Sequence, residues 1–191
     1  MIVNNQYLRI DDGEDVGDFV LFDRVRKTIF SVNRENQSVL VVVDKKFSID
    51  TPDKLALSVQ ELDSMGSPDI DGRNVRVYRF YTNERLCVEV AAAMGLMEDV
   101  ITVLRDFHRT LAAEHAVVAQ NTPDEFRSDC DLSDLVFEPD RYLRYGFPVY
   151  QRDYNGKMRE LRDFDSNYSA DPRLFEVPAR YRRFSTEDLR G

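Results

Sequence analysis

Near residue 96 the hydrophobic period of this chain changes, and that change limits what the chain can fold into. Before it, apolar residues recur at every second position in short runs. After it, Val100, Leu104, Phe107, Leu111, His115 and Val118 are spaced 4, 3, 4, 4 and 3 apart. A period close to 3.6 places these residues on one face of an α-helix. The spacing predicts a helix over residues 96–120, approached by Gly95 and ended by Asn121-Thr122-Pro123. Glu98 and Asp99 occupy its first turn, where the helix dipole favours anions. At 1.5 Å per residue such a helix is roughly 36 Å long, enough to cross a whole sheet.

The earlier runs read as strands. Residues 2–10, 18–22, 28–32 and 38–43 carry alternating or β-branched apolar residues, separated by polar clusters at 11–15, 23–27 and 33–37. The 38–43 run holds four Val and one Leu, the pattern of a strand covered on both faces. Short polar turns between strands imply antiparallel hairpins. Leu55, Leu57 and Val59 alternate, so 55–62 is assigned as a strand, although its composition also suits a helix. Residues 65–72, with Gly66, Pro68 and Gly72, read as a loop. Residues 75–80 and 85–90 form a hairpin about Thr82-Asn83-Glu84, and Asn155-Gly156 turns a second one. The pattern predicts one α+β domain over 1–191. Its strands span about 2–90 and its helix 96–120. An irregular acidic segment with one or two helical turns follows over 121–145, then a C-terminal hairpin over 147–164 and a tail of loop and extended chain.

Charge and composition remove several classes of function. The formal net charge is −9, which disfavours phosphate backbones and anionic lipid surfaces, so no nucleic-acid partner is expected. No apolar run approaches the ~20 residues of a transmembrane helix, and no signal peptide is visible at the N-terminus. Taken literally, that places the chain in the cytoplasm. Cys87 and Cys130 are 43 residues apart, which excludes C-x-x-C zinc and thioredoxin motifs. Two buried thiols and one long-range disulfide both fit.

His108 and His115 are the only histidines. Spaced i, i+7, they share a helix face but stand ~10 Å apart, too far for one metal ion to bridge. The acidic run of Asp11, Asp12, Glu14, Asp15 and Asp18 lacks the spacing of a calcium loop, and Asp129, Asp131 and Asp134 read as a solvated turn. No G-x-S-x-G, H-E-x-x-H, P-loop or dinucleotide fingerprint occurs. No catalytic set assembles, and neither a metal nor a cofactor is expected. The hydrolase alternative would rest on His108 and His115, with Asp106 and Glu114 nearby.

The hairpin cluster, the loop with Asp71-Gly72 and the long helix are joined by two further motifs. These are Tyr145-Gly146-Phe147-Pro148-Val149 and Leu174-Phe175-Glu176-Val177-Pro178-Ala179-Arg180-Tyr181. Together, over residues 18–181, they resemble an uncharacterised bacterial domain family related to the periplasmic lipoprotein carriers (LolA- and LppX-like proteins). The resemblance implies a curved antiparallel sheet, an incomplete barrel, with the long helix packed on its concave face. It also implies export, which would require a leader upstream of this chain, and in an oxidising periplasm Cys87 and Cys130 could pair.

The resulting expectation is a non-enzymatic envelope protein that binds an apolar ligand, lipid or lipoprotein acyl chain under the helix. Val100, Leu104, Phe107, His108, Leu111, His115 and Val118 would line that site. The alternative is an interaction module that pairs through an exposed sheet edge, as a homodimer or with another protein.

Overall fold

Side-chain alternation divides the N-terminal third into strands with two apolar faces. The computed structural model describes residues 1–13, 17–45, 47, 55–62 and 69–188. The first strands are β1 (Ile2–Val3), β2 (Tyr7–Asp11), β3 (Phe19–Asp23), β4 (Thr28–Asn33) and β5 (Ser38–Val43). The predicted 2–10 run is split because Asn4 Oδ1 accepts from the amides of Gln6 and Tyr7, 2.8 and 2.7 Å away, and turns the chain. Asp23 Oδ1 accepts similarly from Val25 and Arg26 between β3 and β4. Leu8, Phe22, Ile29 and Val42 form one buried face of this sheet. Phe19, Leu21, Val32 and Val39 form the other. β5 is therefore covered on both sides, as its composition predicts.

The remaining elements are β6 (Leu57–Leu62), β7 (Asp69–Ile70), β8 (Arg73–Thr82), β9 (Arg85–Ala93), α1 (Glu98–Asn121), β10 (Phe147–Asp153), β11 (Met158–Glu160) and β12 (Arg182–Ser185). Asn83 and Glu84 turn β8 into β9 with φ of 49° and 66°, the paired left-handed geometry of a tight hairpin turn. The single curved antiparallel sheet expected from sequence is not what forms. The strands divide into two sheets ordered β1-β2-β3-β4-β5-β12 and β11-β10-β9-β8-β6, with β7 paired to β8, and no closed barrel results. The tail, predicted as loop and extended chain, supplies β12, which pairs parallel to β5. Before reaching β5 it lays Leu174, Phe175, Val177 and Tyr181 across the outer face of the first sheet. Arg9 is buried beneath this strap, with its guanidinium 3.9 Å from the Phe19 ring centroid and Nη1 donating to the Leu174 carbonyl.

α1 packs on both sheets through adjacent faces. Val100, Ile101 and Leu104 join Tyr78, Phe80, Val88 and Val90 of the second sheet. Val103, Phe107, Leu104 and Leu111 join the inner face of the first. The buried stripe is wider than the predicted one: Ile101, Val103, Ala112, Ala113 and Ala116 are buried as well. The small alanines leave room for the helical turn Leu132–Phe137, which packs against α1. No helix among the described residues is long and apolar enough to cross a membrane.

Two local features hold the acidic segment in place. Cys87 of β9 is disulfide-bonded to Cys130, with Cα atoms 5.2 Å apart. Closing a loop of this length removes ~4 kcal/mol of unfolded-state entropy. Arg141 is buried beside it. Nη1 donates to the Tyr81 carbonyl and Nη2 to Thr82 Oγ1, at 3.2 and 3.3 Å. Its Nε stands 2.6 Å from Asp134 Oδ1, an ion pair without hydrogen-bond alignment.

Gly146 opens β10 with φ of 124°, and a Cβ there would stand 2.6 Å from the Ala93 carbonyl carbon and oxygen. Backbone cannot yield as a flexible side chain would. Gly146→Ala is therefore expected to cost at least ~2 kcal/mol, from positive-φ strain plus the clash. Urea denaturation would show this as a lower midpoint with an unchanged slope.

Candidate functional site

Beside α1 and the second sheet, the elements around the helix line a half-open cavity of about 440 Å³. α1 supplies Phe107, His108, Leu111 and His115. Val88 and Gln151 come from the sheet, and Tyr142, Leu135 and Pro139 from the segment after the helix. The mouth is formed by the β10–β11 hairpin. Because Gln151 pairs with Arg159 and Asp153 N donates to Lys157 O, strand alternation puts the side chains of residues 151, 153, 157 and 159 on one face. The Cys87 end of the disulfide also lies in the wall.

Four of the seven residues expected to line a ligand site meet here: Phe107, His108, Leu111 and His115. Val100 and Leu104 are packed against the sheets instead. Val118, assigned to the same face, is 61 % exposed in the last turn of α1. Asp106 and Glu114 are committed elsewhere: Asp106 pairs with Lys27 of the first sheet, and Glu114 lies 3.7 Å from Lys45. The described residues contain no group of three or more His, Cys, Asp or Glu placed to hold a metal ion.

His108 is half-buried in the wall, with its ring 5.8 Å from Phe107 and 6.0 Å from Tyr142. Its Nδ1 is buried without a hydrogen-bond partner. Burial, reinforced by the Arg159 charge, pushes its pKa down to about 4; the Pro139 carbonyl and Asp140 offset this only in part. The ring is therefore neutral at pH 7. Burial also lowers His115, against the pull of Asp131 and Glu114. Tyr142 is pushed up to about 12 by burial, against the opposing charge of Arg159 and a hydrogen bond with the Gln151 side chain.

Each carboxylate in the lining already has a donor. Asp131 Oδ2 accepts from Tyr154 Oη at 2.9 Å. Asp153 Oδ1 accepts from the amides of Asn155 and Lys157, both at 2.9 Å. Asp134, expected on a solvated turn, has a side chain only 19 % exposed and is paired with Arg141; burial is the largest influence on it and raises its pKa. Periodicity on the helix found one wall of the cavity. Tyr142, Gln151, Lys157 and Arg159 were missed, although the Asn155-Gly156 turn signals that a hairpin would align the last three.

The His108 shift ties stability to pH. Its folded pKa of about 4 lies below the unfolded value of 6.5, so within that window the unfolded state binds the extra proton. Stability should fall as pH drops from 6.5 to about 4, by ~2–3 kcal/mol from this group. Chemical denaturation across that range should show a decline smaller by about that amount in His108→Gln, the remainder coming from other groups such as His115. No family model matches this chain, and no curated protein or solved structure shows significant similarity to it, so the site is read from its own geometry.

Proposed function

We propose that this chain is a non-catalytic binding domain for a small amphiphilic molecule, held between α1, the second sheet and the β10–β11 hairpin. The observation that carries this reading is the cavity: about 440 Å³, with Phe107, Leu111 and Val88 beside the polar groups of His108, Gln151 and the hairpin. Sites for small ligands have this size and combine apolar surface with polar groups that orient the guest; here polar and charged side chains make up about half of the lining. A purely apolar guest, such as the acyl chain implied by the resemblance to lipoprotein carriers, would leave those polar groups without partners. A guest with an apolar body and a polar end satisfies both parts of the lining. The Cys87–Cys130 bond favours an oxidising compartment such as the cell envelope.

A second reading rests on β6. It is an edge of the second sheet, and Leu57 and Val59 on it are 41 % and 43 % exposed. Among the described residues no strand pairs with its outer side. Pairing there with a second copy or another protein would hide both side chains.

The binding reading is checked with phenylnaphthylamine, a neutral dye that brightens on leaving water. Leu135 lines the cavity and is 39 % exposed, so it can be enlarged without disturbing the core. Leu135→Trp is expected to weaken dye binding at least ~10-fold, by filling space a ligand needs, while the thermal midpoint stays within a few degrees. Equal affinity in both proteins would place the dye elsewhere and remove the support for the cavity.

A further inference from the structure

We infer that the ligand of this cavity is an anion, a carboxylate or similar acidic group on an apolar body, with its charge held by Arg159 and Lys157. The inference rests on the binding reading above and adds the charge of the guest.

The protein carries 35 acidic and 26 basic side chains, so its cations are in short supply. Many of the described ones are used in pairs, among them Lys27 with Asp106, Arg109 with Asp140 and Arg141 with Asp134. Arg159 and Lys157 line the cavity, yet among the described residues neither side chain has a carboxylate within salt-bridge reach. Acidic partners are close at hand in the same lining. However, Asp131 is held by Tyr154, Asp153 by the hairpin's own amides and Asp134 by Arg141.

The hairpin fixes the two cations relative to each other. Lys157 directly precedes β11 and Arg159 lies within it; two positions apart in extended chain, their Cα atoms are ~6.6 Å apart and their side chains leave from the same face. That spacing lets a guanidinium and an ammonium reach the two sides of one small acidic group. Arg bonds such a group through two parallel donors, and Lys adds a point charge. The Arg159 charge already reaches the cavity wall: it acts on both His108 and Tyr142, whose rings are 6.0 Å apart. The third observation is His108 Nδ1, a buried polar atom in that wall whose neighbour, the Pro139 carbonyl, does not form an aligned hydrogen bond with it. A neutral imidazole that carries its proton there donates one hydrogen bond, which a ligand oxygen, or water brought with it, can accept. The anion would sit toward the hairpin, and its apolar body against Phe107 and Leu111.

The test compares two dyes with the same aromatic body, phenylnaphthylamine and its sulfonated counterpart anilinonaphthalene sulfonate. Both are titrated by fluorescence into the full chain at pH 7.5 and low salt. The sulfonate is expected to bind at least ~10-fold more tightly, with the ratio shrinking as salt is added. In the Lys157→Gln/Arg159→Gln double variant the ratio should fall to about 1. It should be unchanged in Arg162→Gln, a control just beyond β11 and outside the lining. Equal affinity of the native chain for the two dyes, or a preference that survives the double variant, overturns the anion assignment while leaving the binding reading intact. Failure of the folded chain to bind either dye overturns both.

Discussion

The structure depends on the burial of α1 against two sheets at once. Leu104 belongs to both apolar clusters, and around it the helix gives Val100 and Ile101 to one sheet and Val103 and Phe107 to the other. Among the described residues neither sheet has another helix of comparable length to cover its inner face. Removing several large apolar side chains from water along one rod makes the sheets mutually dependent, since each contributes to the burial of the same helix. The cavity is a consequence of this geometry. Near His108 it is bordered by the helix, by Val88 and the β10–β11 hairpin of the second sheet, and by Asp134 and Leu135 of the turn at 132–137. The side chains that line it are polar as often as apolar.

The acidic segment after α1 is held by polar and covalent contacts more than by apolar burial. The disulfide joins it to β9, and Arg141 ties it to the end of β8 through Thr82 and the Tyr81 carbonyl. Thr82 and Ser133 are fully buried, with hydroxyl oxygens 2.7 Å apart, so the network closes on itself. A buried network of this kind is costly if broken, because each deserted partner stays out of water. It therefore fixes the register of the 132–141 segment, and with it the positions of Asp134, Leu135, Pro139 and Tyr142 around the cavity.

Much of the fold was legible in the sequence. The change of period at residue 96 marked α1 to within a few residues, and the β8–β9 hairpin followed from alternation about Thr82-Asn83-Glu84. Three things were not legible. The split into two sheets depends on which strand edges meet, and period-two patterning is blind to that. β12 was missed because Arg182 and Arg183 carry no apolar alternation; its pairing comes from the strap that packs Phe175 and Tyr181 on the first sheet. Part of the width of the buried helix was hidden by alanine, which serves equally on a surface and in a tight contact; Ile101 and Val103 lie beside the single predicted stripe, because α1 is covered by two sheets and not one. For the site, helical spacing identified Phe107, His108, Leu111 and His115, whereas the opposite wall needed the register of the C-terminal hairpin.

Amide hydrogen exchange tests most directly the claim that α1 is clasped between two sheets. If both sheets bury it, the amides of residues 103–116 should exchange only through global unfolding, with protection equal to that of the central strands β3, β4, β8 and β9. Exchange of those amides through local opening, at a free energy well below that of the strands, would show a helix standing apart from the sheets and would contradict the account.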